Sequence, residues 1–89
     1  MAYTFKERQE ELIYAIEMEI QGWDDGYHQE AVWFLETFLR LVKEAGYSDM
    51  HYQDLMDWTR KNRDDIGYYT GSSSYFLNEP FLLDTQTLA

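Results

Sequence analysis

Apolar residues recur at helical spacing along most of this 89-residue chain, in three blocks parted by short glycine-containing stretches. In the first block Phe5, Leu12, Ile13, Ile16 and Ile20 form one stripe, and Glu7, Glu10, Glu11, Tyr14, Glu17 and Met18 fall on the opposite side. The spacing predicts a helix from about Phe5 to Gln21. A capping box opens it, with the Thr4 hydroxyl taking one orphan N–H and Glu7 reaching back. In the second block Ala31, Phe34, Leu35, Phe38, Leu41, Val42 and Ala45 form a broad stripe, widened by Val32, Trp33 and Leu39. A helix from about Tyr27 to Ala45 is predicted, and as the most hydrophobic segment it should be central. Glu30 near its start and Arg40 and Lys43 near its end suit the macrodipole, and Glu36 with Arg40 makes an i,i+4 pair. The third helix, from about Met50 to Arg63, has an inner stripe of Tyr52, Leu55, Met56 and Thr59, with His51 and Trp58 on one flank. It is less apolar and is expected to be peripheral.

The stretches between the blocks look alike. Gly22 and Gly46 are each placed to end a helix in the left-handed conformation, with Trp23 folding back onto Met18 and Tyr47 onto Val42. Asp24 or Asp25 would then N-cap the second helix, and Ser48 or Asp49 the third. The first of these stretches, IQGWDDGYHQE at 20–30, also gathers Asp24, Asp25, His28 and Glu30 around two glycines. These residue types match no standard metal-ligand spacing, and each has a structural role at a helix end, so the stretch reads as a turn.

After Asp64-Asp65 the helical period is lost. Tyr68-Tyr69-Thr70 and Tyr75-Phe76-Leu77 read as strand-like runs around Gly71-Ser72-Ser73-Ser74, which allows a short β-hairpin near 68–77. Pro80 argues against a helix there, and Phe81, Leu82 and Leu83 form an apolar knot. The short connections favour antiparallel neighbours. The expected fold is all-α: one small domain over 1–89, a three-helix bundle with a non-helical aromatic extension, 64–89, packed on it.

Composition narrows the chemistry. The chain holds no cysteine, which excludes disulfides, thiolate zinc sites and a Cys nucleophile. No apolar run approaches the roughly 20 residues of a membrane span, and the start, MAYTFKERQEE, lacks the apolar region of a secretory signal, so a cytoplasmic location is expected. Gly71-Ser72-Ser73-Ser74 lacks the Gly-Lys-Ser/Thr of a P-loop, and Asp64 and Asp65 nearby would repel phosphate. The only histidines, His28 and His51, stand near helix starts. No catalytic residue, metal or cofactor is expected, and the chain is read as a non-enzyme.

Charge gives the lean toward a function. The net charge is −10, from 7 basic and 17 acidic residues, which disfavours direct contact with nucleic acid or an anionic membrane. Residues 1–30 hold eight acids (Glu7, Glu10, Glu11, Glu17, Glu19, Asp24, Asp25, Glu30) against Lys6 and Arg8, a net of −6 that leaves −4 for the remaining 59 residues. From Glu7 to Glu17 the helix rises about 15 Å, a length over which duplex DNA carries roughly nine charges. That stripe is sparser than DNA and needs Asp24, Asp25 or Glu30, or a second subunit, to imitate it. Homodimerisation is compatible with the sequence. Exposed tyrosines among carboxylates suit an interface, having rigid apolar area and a polar tip.

A partner-binding face of Glu7, Glu10, Glu11, Tyr14, Glu17, Asp24, Asp25, Tyr68 and Tyr69 is therefore expected to meet a basic protein surface, such as that of a nucleic-acid-binding protein. In size, charge and lack of catalytic motifs the chain resembles the small acidic inhibitors that phages make against restriction or CRISPR nucleases, a resemblance of composition that implies occupation of a basic nucleic-acid-binding surface. The alternative is a small adaptor or structural subunit docking by apolar contacts through Trp33, Trp58 and the C-terminal extension.

Overall fold

Leu12 and Ile16, one helical turn apart, are both fully buried, and Ile13 and Ile20 pack beside them. They belong to α1 (Phe5–Trp23), the first of four helices in a computed structural model that describes residues 5–71 and 76. The others are α2 (Gln29–Glu44), α3 (Asp49–Lys61) and α4 (Arg63–Thr70). Thr4 of the expected capping box lies outside the described residues.

The hydrophobic stripe makes α2 the centre of the molecule. Ala31, Leu35, Phe38 and Val42 are buried along it at i, i+4, i+7 and i+11. Full burial of such a side chain is worth roughly 1.5–3 kcal/mol, so this one stripe carries much of the fold's stability. α1 lies antiparallel against it. The Gln9 amide near the start of α1 donates to the carbonyls of Val42 (2.8 Å) and Lys43 (3.3 Å) at the end of α2. One helix thus supplies a donor to terminal carbonyls of the other, where the intrahelical ladder runs out. Gly46 stands against the same amide, where a Cβ would lie 3.4 Å from Gln9 Nε2.

α3 opens as the sequence predicts. Ser48 Oγ accepts from the His51 backbone N–H at 3.2 Å. Leu55 and Thr59 are buried, and the Thr59 hydroxyl is satisfied by Met56 O at 2.8 Å. Trp58 turns inward too, with its ring 5.0 Å from Phe34 and 5.5 Å from Phe38. Asn62 alone joins α3 to α4. Its N–H donates to Trp58 O at 3.0 Å and its carbonyl accepts from Ile66 N–H at 2.9 Å.

Four expectations change. Residues 64–70, assigned to the non-helical extension, belong to α4, whose first residue, Arg63, was expected to end the third helix, so the strand-like reading of Tyr68-Tyr69-Thr70 is wrong. Asp64 and Asp65 suit a helix start, Ile66 is fully buried, and Thr70 Oγ1 folds back to Ile66 O at 2.7 Å. Eight residues with one deeply buried position are too few to display a period. Residues 72–75 and 77–89, which carry the rest of the proposed hairpin and extension, lie outside the described residues. Phe76 is buried, 6.2 Å from the Phe38 ring, so an aromatic of this region does reach the core.

Gly22 and Gly46 are not left-handed. Among the described residues positive φ belongs to Gly26 (84°) and Gly71 (72°). α1 runs through Gly22 to Trp23, and Gly71 closes α4 by donating to Gly67 O at 2.8 Å. Neither Asp24 nor Asp25 caps α2, whose N-cap is His28, a residue whose side chain makes no capping hydrogen bond. Arg40 pairs with Glu44 at 3.1 Å, in the last turn of α2, in place of Glu36.

Candidate functional site

Along α1 the residues facing away from Leu12 and Ile16 are Glu7, Glu10, Tyr14 and Glu17, all exposed, with Tyr14 at 65%. Their spacing of three and four residues keeps them on one line. Glu11 departs from it. It is half-buried and ion-paired with Arg8, itself only 8% exposed. One of the two cations in the acidic third of the chain is thereby drawn inward against one of its acids. By residue type Arg8 reads as a surface residue, yet it stands four and eight residues before Leu12 and Ile16, on the face that they bury.

Beyond the end of α1, Asp24 and Asp25 are exposed. Asp25 accepts from the Tyr27 backbone N–H at 2.9 Å and lies 2.9 and 3.1 Å from His28 Nδ1. These contacts, the Tyr27 hydrogen bond foremost, hold its carboxyl below the ordinary aspartate value. The His28 ring meets the Trp23 ring edge-on, with centroids 4.9 Å apart. Trp23 is half-buried and its Nε1 donates to Tyr69 O at 2.8 Å, which fastens the end of α1 to the end of α4. The expected contact of Trp23 with Met18 is replaced by this one, and Met18 is left 48% exposed.

Tyr68 and Tyr69 separate in role. Tyr68 is 73% exposed. Tyr69 is half-buried, with its ring 5.0 Å from Phe34 and 5.8 Å from Trp23. Burial, followed by the charges of Glu30 and Asp65, pushes its phenol above the ordinary tyrosine value. Tyr69 is thus part of the wall of the bundle more than a free contact residue.

The structure brings Asp25, Tyr68 and Tyr69 together around a hollow of about 400 Å³, completed by Glu19, Trp23 and His28. The last three were not among the expected partner residues. Glu19 and Trp23 are one turn apart on α1, a spacing that places them on one face and was open to sequence reading. Glu7 and Glu10 stand at the far end of the same helix; Glu7 and Glu19 are separated by about 18 Å at the usual rise.

Other constellations amount to less. Ser48 Oγ and His51 Nδ1 are 2.7 Å apart, but the same oxygen is the N-cap of α3 and the pair sits at the surface. Among the described residues no group of three or more His, Asp or Glu is placed to hold a metal ion. Of the tryptophans expected to anchor an adaptor, Trp33 is 63% exposed, whereas Trp58 is committed to the Phe34–Phe38 stack. No helix among the described residues is long and apolar enough to cross a membrane. Comparison with protein-family models, with curated proteins and with solved structures yields no match to this chain.

Proposed function

We propose that the chain is a non-enzymatic binding module whose acidic, tyrosine-bearing side meets a basic protein surface, in the manner of an inhibitor that occupies a surface built for nucleic acid. The observation that carries this reading is the unbroken exposed line of Glu7, Glu10, Tyr14 and Glu17 on α1, continued by Asp24 and Asp25. The opposite side of α1 is spent on the core, so this side is the one left for a partner. Complementary charge of this kind acts mainly on encounter rate and on the choice of partner.

The test is a triple reversal, E7K/E10K/E17K, at exposed positions where substitution costs little stability. A partner captured from lysate by the parent chain should associate about tenfold more slowly with the variant at low salt, and the difference should shrink as salt screens the charges. Equal binding of parent and variant at low salt would remove the acidic-face reading. The second reading, an adaptor, has Trp33 in its favour, exposed on the outer side of α2. In that case Trp33→Ala weakens capture and salt has little effect.

A further inference from the structure

The hollow between the ends of α1 and α4 combines features that all favour one kind of visitor. α1 ends at Trp23 and α4 at Thr70, and both endings line it. A helix C-terminus carries partial negative charge on its last carbonyls. α2 and α3 answer theirs with Lys43 and with Arg60 and Lys61, whereas α1 and α4 have no basic residue in their last turns. The two ends that lack a basic residue meet at one place, and Glu19 and Asp25 add carboxylates there. Glu19 makes no ion pair among the described residues.

The walls are aromatic. Tyr68 and Tyr69 meet edge to face at 5.0 Å, and Trp23 and Tyr69 at 5.8 Å. Tyr68 leaves most of its ring to solvent. Gly22 and Gly71 also line it, and among the described residues a Cβ on either would touch nothing within 4 Å. A volume of about 400 Å³ is small among ligand pockets, which run to roughly 1,000 Å³. It suits one long side chain.

We infer that this hollow receives an arginine side chain of the basic partner, its guanidinium lying against the Tyr68 ring and its N–H groups directed to Glu19 and Asp25. The inference rests on the proposed function and names the contact that would fix the partner's register. Arginine fits better than lysine because its planar group stacks on an aromatic face while forking to carboxylates, and is less tightly hydrated. A metal ion fits poorly. Among the described residues no group of three or more His, Asp or Glu is placed to hold one.

The experiment titrates two end-blocked tripeptides, Gly-Arg-Gly and Gly-Lys-Gly, into the parent chain, Tyr68→Ala, Glu19→Gln and the triple reversal E7K/E10K/E17K. Binding is read from the Trp23 indole N–H resonance, identified with Trp23→Phe. The arginine peptide should move that resonance with a lower Kd than the lysine peptide. Tyr68→Ala and Glu19→Gln should each raise the arginine Kd by about two- to fivefold, the range of one exposed cation–π or charge contact. The triple reversal should keep the preference for arginine. Equal Kd values for the two peptides, or no change with Tyr68→Ala, overturn the inference. Peptide-induced shifts confined to the amides of residues 7–17 overturn it while leaving the acidic-face reading intact. No shift at Trp23 with either peptide overturns it as well, and the acidic-face reading is then judged by partner binding to the triple reversal alone.

Discussion

Closely related tetrads, Gly22-Trp23-Asp24-Asp25 and Gly46-Tyr47-Ser48-Asp49, stand where α1 gives way to α2 and α2 to α3, yet the chain folds them differently. In the first, the glycine is the penultimate residue of α1, the aromatic ends the helix, and the left-handed residue comes later, at Gly26. In the second, α2 is already over before Gly46, and Ser48 caps α3 two residues on. The aromatics part company as well. Trp23 turns toward α4 and donates to Tyr69 O, forty-six residues away. Tyr47 is 73% exposed, and its ring meets the edge of a local one, that of His51, at 5.4 Å. A turn is set less by its own four residues than by whether a distant element takes hold of the aromatic one.

The sharpest way to break this comparison is to remove both aromatics. Trp23→Ala discards the hydrogen bond to α4 and the packing against Tyr69 and His28, and should cost about 3 kcal/mol. Tyr47→Ala removes an exposed ring and should stay within about 0.5 kcal/mol. Equal losses in denaturant unfolding would mean that the two connections are held alike after all.

The same distinction explains what was legible beforehand. Leu12, Ile16, Leu35, Phe38 and Leu55 are buried as their helical spacing requires, because periodicity is a local property and long helices repeat it several times. The exposure of Glu7, Glu10, Tyr14 and Glu17 follows from the same periodicity. α4 was hidden because Tyr68, Tyr69 and Thr70 have strand-like preferences, and their helix is upheld by Ile66 in the core and by Trp23 from α1. The hollow was hidden for that reason: it exists only once α4 is a helix and its end is brought to Trp23. Gln9 belongs to the same class, since the helix end that it caps lies more than thirty residues away.

A second, smaller contrast concerns the glycines. Gly26→Ala forces a Cβ into positive φ and should destabilise by about 1–2 kcal/mol. Gly22→Ala lies inside α1 with open space around it, and should stabilise by about 0.5–1 kcal/mol because alanine is the better helix former. Thermal melts of the two variants should therefore move in opposite directions. A left-handed Gly22 would reverse the sign of the second shift and return the stop of α1 to where the local pattern puts it.

The last contrast is the smallest and separates the two connections by pH. The second is capped by a hydroxyl, and Ser48→Ala should cost about 1 kcal/mol throughout the acid range. The first is braced by a carboxylate, since Asp25 accepts from Tyr27 N–H and from His28. Its folded pKa lies below the unfolded value, so the unfolded chain binds the proton first as pH falls. The stabilisation is therefore complete above the ordinary aspartate range and is lost as pH drops through the folded pKa. Asp25→Ala should be less stable than the parent near neutrality, and the two should converge as pH falls through the lowered folded pKa of Asp25. Ser48→Ala should keep its distance from the parent over that same interval. Urea unfolding of the three proteins at a few pH values between about 6 and 2.5 measures this. If the Asp25→Ala gap holds constant into acid, the carboxylate charge contributes nothing to the first connection, and the side chain braces it only through contacts that protonation does not change.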